Sequence, residues 1–224
     1  MEYSIINPPR IYPYRPVYQS SKRLVDLMLC VVLLPFAVPL FLLCSIAILL
    51  GSGRPIFYIQ ERIGKGGKSF NIYKFRTLET EDDEGQGHTF MKAYIRGEID
   101  PNETAVSTFK PELKQRVFPV GNFLRKTSLD ELPQLINVMK NEMSIVGPRP
   151  NVTWEVDEYH SWHYERLEVL PGITGLAQIN GRSGISFDKL VRYDINYIEN
   201  QNLVLDLKII WRTFKSVILS KGAG

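Results

Sequence analysis

Two adjacent carboxylates, Asp130 and Glu131, are the residues best placed to do chemistry, within the segment RKTSLDELPQL (125–135). Neighbouring side chains on a helix point about 100° apart, so this pair does not share a proton as two facing carboxylates do. One acid could attack an electrophile while the other holds a cation. If the electrophile is a diphosphate, repulsion between like charges requires a divalent ion such as Mg2+ and fixed cations nearby. Arg125 is a candidate for one of those cations.

The same segment also has a purely structural interpretation. Ser128 and Glu131 have the spacing of a capping box, acidic residues favour the positive end of a helix, and Pro133 is tolerated in a first turn. An ordinary helix start over residues 130–140 explains these residues without any chemistry.

Two further segments combine glycine or proline with side chains that could bind a substrate. In GPRP (147–150) two prolines restrict the backbone around Arg149, which would aim its guanidinium at a phosphate with little entropy left to lose. The segment PGITGLAQINGR (171–182), which contains Gln178 and Arg182, has the composition of a loop that folds closely around a ligand. Both segments could equally be structural turns.

Two metal or phosphate motifs are rejected on their spacing. Gly67-Lys68-Ser69 matches the end of a phosphate-binding P-loop, but Arg62 stands where the first glycine is required. Asp157, His160 and His163 are spaced to bind zinc from one helix face, but the sequence offers no further ligand near them. We therefore expect neither a P-loop nor a zinc site.

The longest apolar run, residues 24–50, predicts a membrane segment beside this chemistry. It contains 27 residues and one charge, Asp26, and as a straight helix would be about 40 Å long, enough to span a hydrocarbon core of roughly 30 Å. Pro35 lies near its middle and should bend it. Basic residues flank both ends, whereas a spanning helix favours one side for them. We predict a re-entrant helix-break-helix over 21–51 that returns to the face it entered.

The other segments predict an α+β fold that is mostly helical. We expect an irregular tail at 1–20 and a domain over 52–224. Within that domain, a two-residue period around IGKGGKS predicts a β-hairpin over 55–77, and a mobile loop at about 78–111 contains a short helix at 90–96. Helical patterns cover 130–140, 151–169 and 187–199. The amphipathic stretch 203–219 should either lie in the lipid headgroup plane or pack on the core.

The overall composition narrows the class of protein. A chain of 224 residues with 44% apolar content suits one domain plus an accessory segment. A net charge of +3 excludes nucleic acid as the expected partner, and it fits anionic lipid or phosphorylated substrates. Both cysteines, Cys30 and Cys44, lie in the apolar run, which indicates a reducing compartment and no disulfide framework.

Taken in order, six segments resemble the bacterial sugar transferase family, the monotopic phosphoglycosyl transferases. They are KRLVDL (22–27), IYKFRT (72–77), RKTSLDELPQL (125–135), MSIVGPRP (143–150), PGITGLAQINGR (171–182) and LDLKII (205–210). The resemblance runs from near residue 20 to the end and matches the minimal catalytic form. It implies a re-entrant helix broken at Pro35 and a catalytic domain on the cytoplasmic face of the bacterial inner membrane, with both termini cytoplasmic.

The resemblance also implies a two-step reaction. Asp130 would attack a nucleotide sugar, usually a UDP sugar, at the sugar-bearing phosphate and release the nucleoside monophosphate. Undecaprenyl phosphate would then accept the sugar phosphate from the aspartate, and Glu131 would bind Mg2+. The remaining residues implied in the site contact phosphates, support the carboxylates or shape the nucleotide or sugar pocket: Lys74, Arg125, Arg149, Gln178 and Arg182. Membrane lipid and a second copy of the chain are further candidate partners.

Two other functions stay open at this stage. A membrane-anchored, non-catalytic lipid-binding protein would use Asp130 and Glu131 only to cap a helix, and its arginines only to bind headgroups. A metal-dependent phosphodiesterase would consume nucleotide sugar without any lipid acceptor.

Overall fold

The fold is mostly helical with a small amount of sheet, as the sequence predicts. The computed structural model describes residues 15–78, 84–99, 117–181 and 185–218. The helices are α1 (Pro16–Ser52), α2 (Glu84–Ile95), α3 (Pro119–Thr127), α4 (Gln134–Met139), α5 (Thr153–Val156), α6 (Leu176–Asn180), α7 (Phe187–Asn200) and α8 (Leu203–Ile218). The strands are β1 (Phe57–Ile63), β2 (Ser69–Phe75), β3 (Ser144–Val146) and β4 (Gly172–Thr174), and 3-10 turns occupy Lys65–Gly67, Leu129–Glu131 and Ser161–Glu168.

Helix α1 is a single helix of 37 residues. It begins at Pro16, because a proline in the first turn lacks only an N–H that has no partner there. Residues 16–20 are therefore helical rather than part of the predicted tail, and residues 1–14 lie outside the described residues. The helix continues through Pro35 and Pro39, so the predicted break is not confirmed. A proline removes one backbone donor and can bend a helix without ending it.

Both ends of α1 pack on the domain, whereas its middle does not. Cys30 packs against Ile72 of β2, and Cys44 packs against Phe75 of the same strand. Between them, all six residues of 31–36 are exposed. Because six successive residues cover every side of a helix, this apolar stretch projects away from the domain. Helix α1 is long and apolar enough to cross a membrane.

Polar contacts fix the first half of α1 to the domain. Asp26 is buried, where its carboxylate accepts hydrogen bonds from the Ser144 hydroxyl at 2.7 Å and the Ile145 N–H at 3.2 Å. Lys22 forms a salt bridge with Asp206 of α8 at 3.1 Å. These contacts join α1, β3 and α8 into one unit.

The predicted hairpin over 55–77 is confirmed. Strands β1 and β2 pair antiparallel from Phe57 opposite Phe75 to Ile63 opposite Ser69, and the turn between them places Gly66 at φ 67°. Tyr58 lies opposite Lys74, so these two side chains point to the same face of the hairpin.

A second pair of strands, β3 and β4, was not predicted. The strands are parallel, with Ser144 opposite Gly172 and Val146 opposite Thr174. A Cβ atom on Gly172 would lie 2.1 Å from the backbone nitrogen of Gly147, so only glycine permits this approach. The pairing brings the GPRP and PGITG segments side by side.

The predicted helices are only partly confirmed. Those at 187–199 and 203–219 are α7 and α8, and the short helix at 90–96 belongs to α2, which begins at Glu84. The rest of the predicted mobile loop, 79–83 and 100–111, lies outside the described residues. The stretch 151–169 contains α5 and a separate 3-10 turn, and 130–140 divides into a 3-10 turn and α4.

Helix α8 packs on the core with one side, as one of the two predicted alternatives states, and leaves its other side exposed. Ile209 is fully buried in a cluster with Val146 and Tyr197. The opposite side carries an exposed apolar stripe at a spacing of three and four residues: Val204, Leu207, Trp211 and Phe214. The helix therefore packs on the core and still presents an apolar face to its surroundings.

Candidate active site

Three separate segments bring charged side chains to one place. The end of β2 carries Lys74, the 3-10 turn after α3 carries Asp130 and Glu131, and the loop after β3 carries Arg149. Lys74 Nζ lies 2.9 Å from Glu131 Oε1, and Arg149 Nη1 lies 3.6 Å from the same oxygen. The structure thus assembles most of the side chains that the sequence nominated.

Ser128 sets the direction of the carboxylate turn, although not by the predicted capping box. Its backbone is left-handed, with φ 57° and ψ 18°, and its side chain caps neither α3 nor the following turn. Instead, the Ser128 N–H bonds to the carbonyls of Leu124 and Arg125, which ends α3. The capping-box prediction is wrong because the chain reverses at this residue, whereas an N-cap has extended backbone.

Asp130 experiences a strongly perturbed environment. Burial raises the pKa of its carboxyl to about 6, and the neighbouring charge of Glu131 acts in the same direction. The positive charges of Lys74 and Arg125 lower this pKa and so favour the ionised carboxylate. Such a carboxylate is still mostly ionised at neutral pH. It is poorly hydrated, which suits a nucleophile.

Lys74 experiences the complementary environment. Burial lowers the pKa of its ammonium group, and repulsion from Arg149 adds to the effect, while Glu131 and Asp130 oppose it. Two carboxylates therefore share this region with three cations, Lys74, Arg125 and Arg149. The surplus of positive charge suits an anionic substrate such as a phosphate.

The backbone of the GPRP segment is held by two arginines that sequence reasoning missed. Arg166 Nη2 donates to the Arg149 carbonyl at 3.0 Å, and Arg62 Nη1 donates to the Pro150 carbonyl at 3.3 Å. Arg62 had been considered only as the residue that spoils a P-loop, and Arg166 lay inside a predicted helix. Their partners are backbone oxygens distant in sequence, so no local pattern could have revealed them.

The remaining predicted site residues are not brought to the carboxylates by any contact in the described part of the chain. The Gln178 amide donates to the carbonyl of Ile173 at 3.1 Å, and its buried Oε1 has no hydrogen-bond partner among the described residues. Arg182 lies outside the described residues. Pro35 lies in the exposed middle of α1.

Asp130 and Glu131 form a donor set that fits magnesium better than a transition metal. Among the described ranges no group of three or more His, Cys, Asp or Glu side chains could hold a metal. His163, from the rejected zinc motif, bonds to Asp188 at 3.0 Å. Magnesium is usually held by one or two carboxylates together with substrate phosphates, so two adjacent acids are sufficient for it.

Sequence comparisons identify a matching family and several similar proteins. The profile described as "Bacterial sugar transferase" matches residues 17–220. The exopolysaccharide production protein ExoY of Rhizobium meliloti is 40% identical over 209 residues, which cover 93% of this chain and 90% of that protein. The undecaprenyl-phosphate galactose phosphotransferase of Salmonella typhimurium is 36% identical over 90% of this chain and 41% of its own length. The UDP-glucose:undecaprenyl-phosphate glucose-1-phosphate transferase of Xanthomonas campestris is 37% identical over 91% of this chain and 40% of its length.

Proposed function

Because the chain belongs to the bacterial sugar transferase family, we propose that it moves a sugar 1-phosphate from a UDP sugar to undecaprenyl phosphate through a covalent aspartyl intermediate. Relatives named for this type of transfer include enzymes for galactose and glucose phosphates. The product would be a diphosphate-linked lipid sugar, formed at the first membrane step of glycan synthesis.

The observation that carries this proposal is the pair of carboxylates surrounded by cations from three segments. Asp130 is buried enough to have a raised pKa, and Glu131 lies 2.9 Å from Lys74 and 3.6 Å from Arg149. A helix cap needs no such arrangement. A site that brings an anionic nucleophile to an anionic diphosphate does, because the repulsion between them must be offset.

The first step would use Asp130 as the nucleophile. Its carboxylate oxygen forms a bond to the sugar-bearing phosphorus, the bond from that phosphorus to the bridging oxygen breaks, and UMP leaves with the electron pair. In the second step a phosphate oxygen of undecaprenyl phosphate attacks the same phosphorus and releases the Asp130 carboxylate. Lys74, Arg125 and Arg149 would neutralise charge on the phosphates during both steps.

Glu131 would hold Mg2+ together with the substrate diphosphate. When bound, the ion would supply charge neutralisation to the diphosphate. Since Lys74 and Arg149 already face Glu131 Oε1, these two cations are placed to meet the phosphates that such an ion would bind. Their positions are consistent with recognition of the metal-bound diphosphate.

We place this reaction at the cytoplasmic face of the inner membrane, with α1 as the segment that enters the membrane. The two ends of α1 pack on one domain while residues 31–36 are exposed on every side. A helix that bends at Pro35 within one leaflet and returns would produce this pattern, and both termini would then be cytoplasmic. The apolar stripe of α8 would lie in the headgroup region.

The test is an assay of purified protein in nanodiscs with Mg2+, undecaprenyl phosphate and a panel of nucleotide sugars. We expect sustained UMP release to require the lipid, with no more than about one UMP per protein in its absence, and loss of both in Asp130→Asn. The matched control is Asp157→Asn, which removes an exposed carboxylate elsewhere and should leave the rate unchanged. Sustained release without lipid would indicate a phosphodiesterase instead. No release from any donor by folded protein would favour the non-catalytic, membrane-anchored alternative.

A further inference from the structure

The side chain of Asn137 occupies an unusual position between α4 and the hairpin. It is fully buried, with 0% of its surface exposed. Its Oδ1 accepts a hydrogen bond from the Tyr73 N–H at 3.1 Å, and its Nδ2 donates to the Asn71 carbonyl at 2.7 Å and to Glu142 Oε2 at 2.7 Å. Both polar atoms of the amide are therefore bound, and two of the three partners are backbone groups of β2.

The amide replaces a missing neighbour of β2. Strand β1 pairs with one edge of β2, and no strand among the described residues pairs with the other edge. A neighbouring strand would offer that edge one donor and one acceptor, which is what Asn137 supplies. The orientation of the amide is fixed, because a flipped amide would place its NH2 group against the Tyr73 N–H and its oxygen against two acceptors.

We propose that Asn137 is a positioning residue that holds Lys74 in place against Glu131. Lys74 directly follows Tyr73, whose N–H is bound to Asn137, and Asn137 lies on α4 shortly after the carboxylate turn. The amide thus joins the two segments that carry the 2.9 Å contact between Lys74 and Glu131. This inference rests on the proposed transferase activity.

A small displacement of β2 would move Lys74 relative to Glu131. Loss of the amide would leave the Tyr73 N–H and the Asn71 carbonyl of β2 without these partners, and the strand would shift as the two groups find others. A displacement of about 1 Å at a reacting group can cost roughly 10²-fold in rate. Substitution of Asn137 should therefore lower the rate of UMP release by displacing Lys74, and by more than its effect on thermal stability explains.

The experiment is a double-mutant cycle between Asn137→Leu and Lys74→Met, with UMP release from a labelled donor as the measurement. Leucine has a similar size to asparagine but makes no hydrogen bonds. Alone, Asn137→Leu should lower the rate by about 30-fold to 100-fold, and in the Lys74→Met background by less than about 3-fold, since the residue it positions is already gone.

Val138→Ala is the matched control, because Val138 is the next residue of α4 and is also 0% exposed. It removes buried packing but none of the side-chain hydrogen bonds to β2, so it should lower thermal stability without the loss of rate. Hydrogen exchange supplies a second measurement. Amide protection in 70–75 should fall in Asn137→Leu and persist in Val138→Ala.

Several results would overturn the inference. Equal losses of rate in both backgrounds would show that Asn137 does not act through Lys74. A loss of rate in Val138→Ala equal to that in Asn137→Leu would assign both effects to stability. If the wild-type protein releases no UMP, the transferase proposal fails and this inference fails with it, whereas an active wild type with additive variants overturns the inference alone.

Discussion

Two regions of this molecule contain clusters of charged side chains, and they differ in whether the charges are fully enclosed by protein. In the first, which we call the Arg166 cluster, Arg166 and Asp194 are almost completely buried and lie 2.6 Å apart. Arg166 also donates to Asn151 at 2.6 Å, to the Tyr159 hydroxyl at 2.8 Å and to the Arg149 carbonyl. Its cation is surrounded by acceptors within the protein, so the cluster is closed.

The second region, the carboxylate site of Lys74, Asp130, Glu131 and Arg149, is not closed. The Arg149 side chain is 53% exposed, and it approaches Glu131 only to 3.6 Å. Arg125 adds a further positive charge near Asp130. A charged cluster enclosed among its own partners leaves no charge for a ligand, whereas one with surplus positive charge and an exposed arginine retains the ability to bind an anion.

The largest expected effect comes from removing the central cation of the Arg166 cluster. Arg166→Met should destabilise the protein by roughly 3 to 5 kcal/mol, because the buried Asp194 would lose its partner. Chemical unfolding of the detergent-solubilised protein measures this. The double variant Arg166→Met/Asp194→Leu should recover most of the loss, since it removes both charges. A change below about 1 kcal/mol in the single variant would show that Asp194 can be hydrated.

The next effect concerns the open region and should separate activity from stability. Glu131→Gln keeps the shape of the side chain and an oxygen for Lys74, but removes the charge that we propose to hold Mg2+. We expect about 10²-fold less transfer at a fixed low Mg2+ concentration, partly restored by more Mg2+, with little change in unfolding. The exposed Glu168→Gln is the matched control and should change neither quantity. Equal Mg2+ dependence in the wild type and Glu131→Gln would remove Glu131 as the ligand.

The two regions also differ in how far sequence predicts them. Asp130, Glu131 and Arg149 are marked by local patterns, the adjacent carboxylates and the GPRP segment, whereas Lys74 is implied only by the resemblance of IYKFRT (72–77) to the family. The Arg166 cluster joins residues from α7, the loop after β3 and a 3-10 turn. Nothing local distinguishes Arg166 from a surface arginine, because its role depends on tertiary partners.

The same limit applies to the fold. The hairpin β1–β2 has two seven-residue strands whose alternation is visible in the sequence, whereas β3 and β4 have three residues each, too few to establish a period. The helix break expected at Pro35 followed a sound local rule. The helix continues there because one missing backbone donor does not outweigh the hydrogen bonds on either side.

A smaller expected effect concerns protonation of His163, which lies beside the Arg166 cluster. His163 is 0% exposed beside the Arg166 cluster, and burial is the main cause that lowers its pKa to about 4, with Asp188 partly offsetting it. Below pH 6.5 the unfolded chain gains a proton on this residue while the folded protein does not. Stability from His163 is therefore present above pH 6.5 and lost as pH falls towards 4.

We expect that loss to be about 2 to 3 kcal/mol between pH 6.5 and pH 4, because each pH unit between the unfolded and folded pKa contributes about 1.4 kcal/mol. The measurement is the free energy of unfolding between pH 7 and pH 4 for the wild type and His163→Asn. Asparagine does not titrate and keeps an acceptor for the His160 N–H, which bonds to His163 Nδ1. Other groups titrate in both proteins, so the difference isolates His163. Parallel curves would show that the buried imidazole is protonated without cost.

The smallest expected effect lies at Arg149, the residue that belongs to both regions. Its carbonyl is held by Arg166 at 3.0 Å, while its guanidinium reaches the carboxylate site. Arg149→Lys keeps the charge and leaves the backbone contact intact, but lysine cannot bind a phosphate through two parallel hydrogen bonds. The KM for the nucleotide sugar should rise about tenfold with unchanged unfolding, whereas Arg192→Lys, at an exposed arginine of α7, should change neither. If Arg149→Lys instead lowered stability, the Arg149 side chain would belong with the Arg166 cluster and not with the carboxylate site.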